Sequence, residues 1–436
     1  VMPIDKLLIS MSLPMMISML VQALYNIVDS IFVSRINEYA LRAVSLAFPI
    51  QSLMIAVAVG TAVGINAFLS KTLGEKDFEK ADIIAQNGIF LAIASYVAFA
   101  VIGLLVSRPF FASQTEVLEV REYGVTYLTI CCVAGMGIFL QTTFERLLQA
   151  TGKTFYTMIT QGTGAVINII LDPVLIFGIG PFPAMGIEGA ALATGIGQAM
   201  AAVFYLVIYI VKPIPVKYRK KYLGIDVSLW KKLYAIGIPA SLNMALPSLL
   251  ISALNVILAG FAEVYVFVLG VYYKLQTFLY LPANGIIQGM RPLIGYNYGA
   301  GETKRVHRLF ADTLYLSLGI MLFGTVFCQL FPDSLIALFS SNPETIQAGG
   351  IALRIISLGF LVSSVSITSS GALEGLGKGT PSLLISLCRY TIIIIPAAFI
   401  LSRIFGASRI WYAFGITEFA TAVIAYMTYQ RATIKN

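Results

Sequence analysis

The chain has 436 residues, of which 58% are hydrophobic and only 11% are charged, and its mean hydropathy is +0.86. Soluble domains carry about 25% charged residues, so this composition excludes a soluble globular protein. Lys and Arg number 29 against 21 Asp and Glu, which gives a net charge of +8. In a membrane protein such a balance normally reflects basic cytoplasmic loops, so we expect a lipid bilayer and no nucleic acid as partner.

Clusters of Gly, Pro and charged residues divide the chain into twelve apolar segments, each long enough to cross a bilayer as a helix. This pattern predicts an all-α integral membrane protein. The first segment continues past residue 30, so no cleavable signal peptide is expected. The segments are 7–33, 40–70, 82–107, 118–150, 155–178, 185–211, 229–258, 264–296, 306–331, 346–373, 380–404 and 409–430.

Basic residues favour one set of alternate loops, which predicts that those loops and both termini face the cytoplasm. An internal repeat divides the chain: Pro14 recurs as Pro239, a shift of 225 positions. Each half has six segments, so the halves are parallel repeats, which predicts two pseudo-symmetric six-helix lobes around a central cavity, as in transporters. We expect lobes at 1–211 and 229–436, joined by a basic linker at 212–228. The same shift relates Gln51 to Gln276, Gly60 to Gly285, Gly64 to Gly289, Gly74 to Gly299 and Gly152 to Gly377.

Four polar residues of the first half have apolar counterparts in the second half. They are Asp29, Asn168, Asp172 and Thr194, and their oxygens are hard ligands suited to Na⁺ or to a shared proton. Two carboxylates brought together repel each other, so one of them would hold a proton. The alternative is a structural role, as a salt bridge or helix cap, but no Lys or Arg lies mid-helix in the first six segments. The counterparts are Leu254, Ile393, Ala397 and, at a shift of 220, Phe414.

The fifth segment concentrates this polarity. Asn168 and Asp172 are four residues apart and so share one face of a helix. Pro173 has no N–H to donate and crowds the carbonyl of Ile169, which predicts a hinge or a free carbonyl oxygen beside the two side chains.

Other chemistry finds no support in the sequence. Cys131, Cys132, Cys328 and Cys388 have no metal-ligand spacing, and one histidine, His307, cannot build a histidine metal cluster. The stretch from Gly375 to Lys378 lacks the spacing of a phosphate-binding loop, which argues against an ATP-driven pump. No convergent nucleophile set is visible, so we expect neither an enzyme nor a cofactor.

Several motifs together resemble the multidrug and toxic compound extrusion (MATE) transporters, closest to their bacterial DinF-like and MepA-like branch. In that branch, the first-helix Asp, the fifth-helix Asn and Asp and a sixth-helix Thr bind the coupling cation. The resemblance places those roles on Asp29, Asn168, Asp172 and Thr194. The NorM-like branch also uses acids in the seventh and tenth helices, which this chain lacks mid-helix. The motifs are YNIVDSIFVSRI, AFPIQ, ATGK, INIILDPVLIFG, GIEGAALATGIGQ and GMRPLIGYNYGAG.

The resemblance implies a monomeric multidrug efflux antiporter of the bacterial cytoplasmic membrane, able to confer antibiotic resistance. It would export amphipathic, often cationic drugs in exchange for Na⁺ or H⁺, by alternating access. The alternative is a lipid-linked oligosaccharide flippase of the same superfamily. Such a flippase would carry clustered basic residues in its first lobe, where this chain has acids.

Isolated amides and one tyrosine extend the polar stripe and are candidate cargo ligands. The alternative for each is an ordinary hydrogen bond between helices. In the second half, Lys274 and Glu418 could pair, Arg389 is a further charge in an apolar segment, and the pair of Glu145 and Arg146 suggests a gate or salt bridge. The candidate cargo ligands are Gln22, Tyr25, Gln51, Gln141, Gln161 and Gln198.

Overall fold

A computed structural model describes residues 2–222 and 224–434, and within them the chain is helical, without strands. Ten helices or continuous helical stretches are long and apolar enough to cross a membrane. Two further pairs of helices pass the same test together, although each pair is bent. Counting each bent pair as one span gives the twelve spans predicted, and the all-α membrane fold is confirmed.

The helices of the two halves have closely matching bounds. Both ends of α2 map onto those of α9 at the repeat shift, since Glu38 corresponds to Glu263 and Gly74 to Gly299. The first half contains α1 (Ile4–Ser34), α2 (Glu38–Gly74), α3 (Phe78–Gln114), α4 (Leu118–Val133), α5 (Met136–Ala150), α6 (Thr154–Phe177) and α7 (Ile187–Val211). The second half contains α8 (Val227–Ala259), α9 (Glu263–Gly299), α10 (Thr303–Leu330), α11 (Pro332–Ala337), α12 (Pro343–Ser357), α13 (Phe360–Gly375), α14 (Gly379–Leu387), a π-helical turn (Cys388–Ile392), α15 (Ile394–Phe405) and α16 (Tyr412–Ile434).

Two segments that the sequence presents as continuous are broken. The chain bends by 42° between α4 and α5 and by 54° between α12 and α13. Each break contains a glycine, Gly135 in one half and Gly359 in the other, which lets a neighbouring helix come close. A Cβ built on Gly359 would lie 3.4 Å from the Glu418 Cγ. The breaks therefore recur at nearly equivalent positions and belong to the repeated scaffold.

The chain forms two compact units whose bounds fall inside α1 and α8. One unit contains the residues up to Met16 together with those from Leu242 onwards, and the other contains Ile17–Ser241. The division into lobes at the linker 212–228 stays a prediction.

Glycines that are related by the internal repeat pack closely against the N-terminal parts of α1 and α8. In the unit Ile17–Ser241, a Cβ on Gly60 would lie 2.6 Å from the Gly237 carbonyl oxygen. A Cβ on Gly64 would overlap the carbonyl oxygen of Leu233. Because only a residue without a Cβ fits there, α2 and α8 pack backbone to backbone.

The other unit repeats this crossing between α9 and α1. A Cβ on Gly285 would lie 2.8 Å from the Met16 Cα, and one on Gly289 would lie 2.7 Å from the Ser12 Cα. The Ser12 hydroxyl also donates to the Ile286 carbonyl at 3.3 Å. The repeated glycines seen in the sequence are thus explained by close helix packing.

Side chains of α3 form hydrogen bonds with the backbone of the linker that follows α7. The buried Asp82 carboxylate accepts from the Lys217 amide at 2.7 Å. The Asn87 side chain accepts from the Asp226 amide at 2.9 Å and donates to the Gly224 carbonyl at 3.3 Å. Burial, with Tyr205 beside it, raises the pKa of Tyr218 well above its usual value, so this linker phenol stays neutral. The described residues of the linker, 212–222 and 224–228, therefore belong structurally to the unit Ile17–Ser241.

We expect Gly64→Ala to destabilise the protein by about 1–3 kcal/mol, because its Cβ would collide with the backbone of α8. Gly162→Ala is the matched control, since a Cβ there meets nothing within 4 Å. The four buried free cysteines allow unfolding to be followed with a thiol-reactive dye in detergent. Equal melting temperatures for the two variants would contradict the tight crossing.

Candidate functional site

The four residues singled out by the repeat comparison lie together. Asp29 is near the C-terminal end of α1, close enough to Asp172 on α6 for the two carboxyl groups to interact electrostatically. Asn168, one turn before Asp172, donates from Nδ2 to the Asp172 Oδ1 and to the Thr194 Oγ1 of α7, each at 3.4 Å. Asp172 is 0% exposed and Asn168 is 3% exposed. Three helices thus bring two carboxyl groups, an amide and a hydroxyl into one cluster, in which Asp172 and Asn168 are buried and Asp29 and Thr194 are half-buried.

Three oxygens of this cluster have no hydrogen-bond partner among residues 2–222 and 224–434. They are Asp29 Oδ1, Asn168 Oδ1 and Asp172 Oδ2. Within the same described ranges, neither aspartate takes part in an ion pair. A buried oxygen without a partner is destabilising by about 1–3 kcal/mol, and more if it is charged. Such a cluster needs a proton or a bound cation.

Close packing of α6 against α7 fixes the geometry of the site. Gly164 and Gly197 face each other, so that a Cβ on Gly197 would lie 2.8 Å from the Gly164 carbonyl oxygen and 3.1 Å from the Asn168 Cβ. The Thr194 hydroxyl donates to the Ala190 carbonyl at 3.1 Å. Its oxygen can therefore accept from the Asn168 amide at the same time.

The donor set suits a small hard cation or a proton. Carboxylate, amide and hydroxyl oxygens bind alkali cations, and two facing carboxyl groups can also share a proton. In the part of the chain that the structure describes, no three or more His, Cys, Asp or Glu side chains come together as a metal site. The cluster is thus unlike a transition-metal centre.

The six candidate cargo ligands fall into two groups. Gln161 donates to Gln22 at 3.3 Å, and Gln141 donates to the Glu145 carboxylate at 2.9 Å. Tyr25 lies near enough to Asp29, Asp172 and Glu145 to feel the charge of all three. These residues come from α1, α5 and α6.

The second group lies around a small cavity beside Thr194. Gln51 and Gln198 line it together with Met54, Cys131 and Thr194. The Gln51 amide contacts the Cys131 sulfur at 4.0 Å. The cavity adjoins the buried cluster through Thr194, which belongs to both. The binding of cargo by the six residues stays a prediction.

The pairing suggested for Lys274 and Glu418 is wrong. Lys274 is exposed and sits 5.9 Å from the centre of the Phe339 ring. Arg389 pairs with Glu418 instead, donating from Nε at 2.9 Å and from Nη2 at 2.7 Å. Arg389 lies in the π-helical turn, whose extra residue changes the face that the side chain occupies. Helix rotation of this kind is not visible in the sequence.

Sequence reasoning missed a second neutralised carboxylate. The Glu374 carboxylate on α13 accepts hydrogen bonds from the Arg291 Nη2 at 2.8 Å, the Asn243 amide at 2.9 Å and the Ser382 hydroxyl at 3.2 Å. A Glu inside an apolar segment was the available signal. At the site where the sequence suggested a gate or a salt bridge, the Arg146 Nη1 donates to the Gln149 Oε1 at 2.7 Å, and the Arg146 charge also acts on the neighbouring Glu145.

A chain of bundled spans with a buried polar cluster in one half is the architecture of a membrane transporter. The MatE family model matches residues 14–174 and 239–400, one match in each half. The chain therefore belongs to the MatE family, as its motifs predicted.

Relatives match nearly the whole chain. "Multidrug export protein MepA" of Staphylococcus haemolyticus is 27% identical, over 97% of this chain and 92% of its own length. The "FAD transporter" of Shewanella oneidensis is 26% identical, over 98% and 95% respectively. The two names describe different cargoes, so similarity alone leaves the cargo of this chain open.

Solved structures share the fold. A MATE crystal structure in the straight conformation has a TM-score of 0.93 and one in the bent conformation has 0.92, each 23% identical and covering 100% of this chain and 97% or 96% of that chain. A transporter of the MOP superfamily from Pyrococcus furiosus, described as having a binding pocket of reverse polarity, has a TM-score of 0.91 at 23% identity, over 99% of this chain and 96% of its own. These likenesses establish the fold.

We expect Arg389→Met to destabilise the protein by about 3–5 kcal/mol, because it leaves Glu418 buried without its cation. The double variant Arg389→Met/Glu418→Met removes both charges, so its loss of stability should be much smaller. Melting in detergent, followed with the same thiol-reactive dye, gives the comparison. A double variant as unstable as the single one would contradict a mutually neutralising pair.

Proposed function

We propose that this protein is a secondary active antiporter that exports amphipathic, often cationic compounds in exchange for Na⁺ or H⁺ by alternating access. The coupling cation binds in the first half of the chain, at Asp29, Asn168, Asp172 and Thr194. The observation that carries the proposal is the set of three buried oxygens without partners in that cluster. A Na⁺ ion or a proton supplies the positive charge that the surrounding side chains do not.

Loading of the site is coupled to movement of α1. Around Asp29 this helix presents apolar side chains outward, since Leu24 is 51% exposed and Ile27 is 43% exposed. On a spanning helix such side chains contact lipid, which is as apolar as they are, so the helix can shift without opening a protein core. An unloaded pair of carboxylates repels α1 from α6, whereas a bound cation or proton draws the two helices together. Pro173 inside α6 provides a second place where the backbone can bend.

The charge of the first half favours cationic cargo over an anionic lipid-linked oligosaccharide. A flippase for an anionic pyrophosphate lipid needs basic side chains where this chain places Asp29, Asp172 and Glu145. The relative named as a multidrug export protein supports a drug cargo. We place the protein in the bacterial cytoplasmic membrane, as a monomer with both termini in the cytoplasm.

Asp29→Asn and Asp172→Asn should each lower the efflux of ethidium from cells about tenfold or more, because neither amide can carry the charge that binds the cation. Asp5→Asn on the same helix is the matched control, since the Asp5 carboxylate is exposed in a surface ion pair with Arg308 at 3.1 Å. Membrane protein levels are compared by immunoblot. Normal efflux by both site variants would refute the cation site.

Export by purified protein in liposomes should depend on an inward gradient of either Na⁺ or H⁺. A Na⁺-coupled protein stops when choline replaces Na⁺, and a proton-coupled protein stops when the pH gradient is collapsed. Asp172→Asn should remove the dependence on the ion that the wild type uses. Export that persists without either gradient would contradict antiport.

A further inference from the structure

Glu145 is a carboxylate of the first half that the coupling site leaves unused. It lies on α5, within the described part of the chain it forms no ion pair, and its side chain accepts from the Gln141 Nε2 at 2.9 Å. The residue is half-buried, whereas Asp172 is fully enclosed. An acidic group inside a membrane span is destabilising unless it is neutralised or faces a polar space.

In the second half, a carboxylate of the corresponding helix is neutralised by an ion pair within the protein. Glu374 lies one turn beyond the position equivalent to Glu145 and pairs with Arg291 at 2.8 Å. The position equivalent to Arg291 in the first half is Asn66. Asn66 instead donates to the Arg146 carbonyl at 2.9 Å. At the shift of 225 positions, Gln149 stands in place of Glu374 and Asn66 in place of Arg291, so the first half lacks this ion pair. It carries a carboxylate at Glu145 instead, where the second half has Ser370.

Tyr25 of α1 lies within range of the Glu145 charge, and α1 and α6 carry further polar side chains. Gln22 is exposed, while Tyr25 and Gln161 are half-exposed, and Gln161 donates to Gln22 at 3.3 Å. The Thr157 hydroxyl donates to the Glu145 carbonyl at 3.4 Å, which joins α6 to α5 at this level. Polar side chains with exposed atoms inside spanning helices line a water-accessible space rather than lipid.

Enclosure separates Glu145 from the innermost part of the coupling site. Asp172 and Asn168 are buried and suit a small ion, whereas Glu145, like Asp29, is half-buried and can be reached by a bulky organic cation. A tyrosine ring adds attraction for a desolvated organic cation. Tyr25 lies between the two regions, within range of the charges of Asp29, Asp172 and Glu145.

We propose that Glu145 binds the positively charged group of the cargo, with Gln141 holding the carboxylate and Tyr25 presenting its ring. This inference rests on the proposed export function. It assigns cargo charge selectivity to a residue distinct from the coupling cluster.

The test uses two probes of similar shape, the permanently charged tetraphenylphosphonium and the neutral triphenylphosphine oxide. In purified Glu145→Gln, binding of tetraphenylphosphonium by equilibrium dialysis should weaken about tenfold or more. Glu145→Asp should keep part of the affinity. Liposome export of tetraphenylphosphonium should fall in parallel, while export of the neutral probe keeps its wild-type rate and ion dependence.

Glu122→Gln, which removes an exposed carboxylate of α4, is the control and should change neither probe. The proposal is overturned if Glu145→Gln binds and exports both probes as the wild type does. It is equally overturned if both probes are lost together, since that result means a structural or coupling role. Failure of the export function is recognised separately, because the wild type would then export neither probe.

Discussion

A polar atom inside a bilayer must find a partner, and this requirement explains where the polar residues of the chain lie. In the second half, Arg389 neutralises Glu418 and Arg291 neutralises Glu374 within the protein. In the first half, Asp29 and Asp172 face each other with unpaired oxygens. The same scaffold thus pairs these carboxylates with arginines in one half and leaves Asp29 and Asp172 outside the described ion pairs in the other.

Much of the fold and the candidate site follows from the sequence because both depend on simple spacing. Segment length predicts the spans, and a separation of four residues places Asn168 and Asp172 on one face. Comparing the repeats selected Asp29 and Thr194, which the structure brings to the same cluster. Divergence between duplicated halves was therefore a sensitive guide to the polar site.

Other features depend on helix rotation and backbone irregularities that spacing does not encode. The sequence offered Lys274 as a partner for Glu418, but a π-helical turn presents Arg389 instead. The breaks at Gly135 and Gly359 interrupt apolar runs that look continuous. Glu145 and Arg146 are adjacent in sequence, yet their side chains bond to Gln141 and Gln149 along the helix. Neighbouring opposite charges on a helix point in different directions, so adjacency is weak guidance.

The bounds of the compact units have a consequence for how the protein is made. The residues up to Met16 belong to a unit whose remainder begins at Leu242, more than 200 positions later in the chain. The unit Ile17–Ser241 in turn includes the beginning of α8, because Gly60 and Gly64 require its backbone. Early helices must therefore wait in the membrane, and neither unit is complete when only the first six spans have been synthesised. Each unit is therefore completed only when part of the second half has been made.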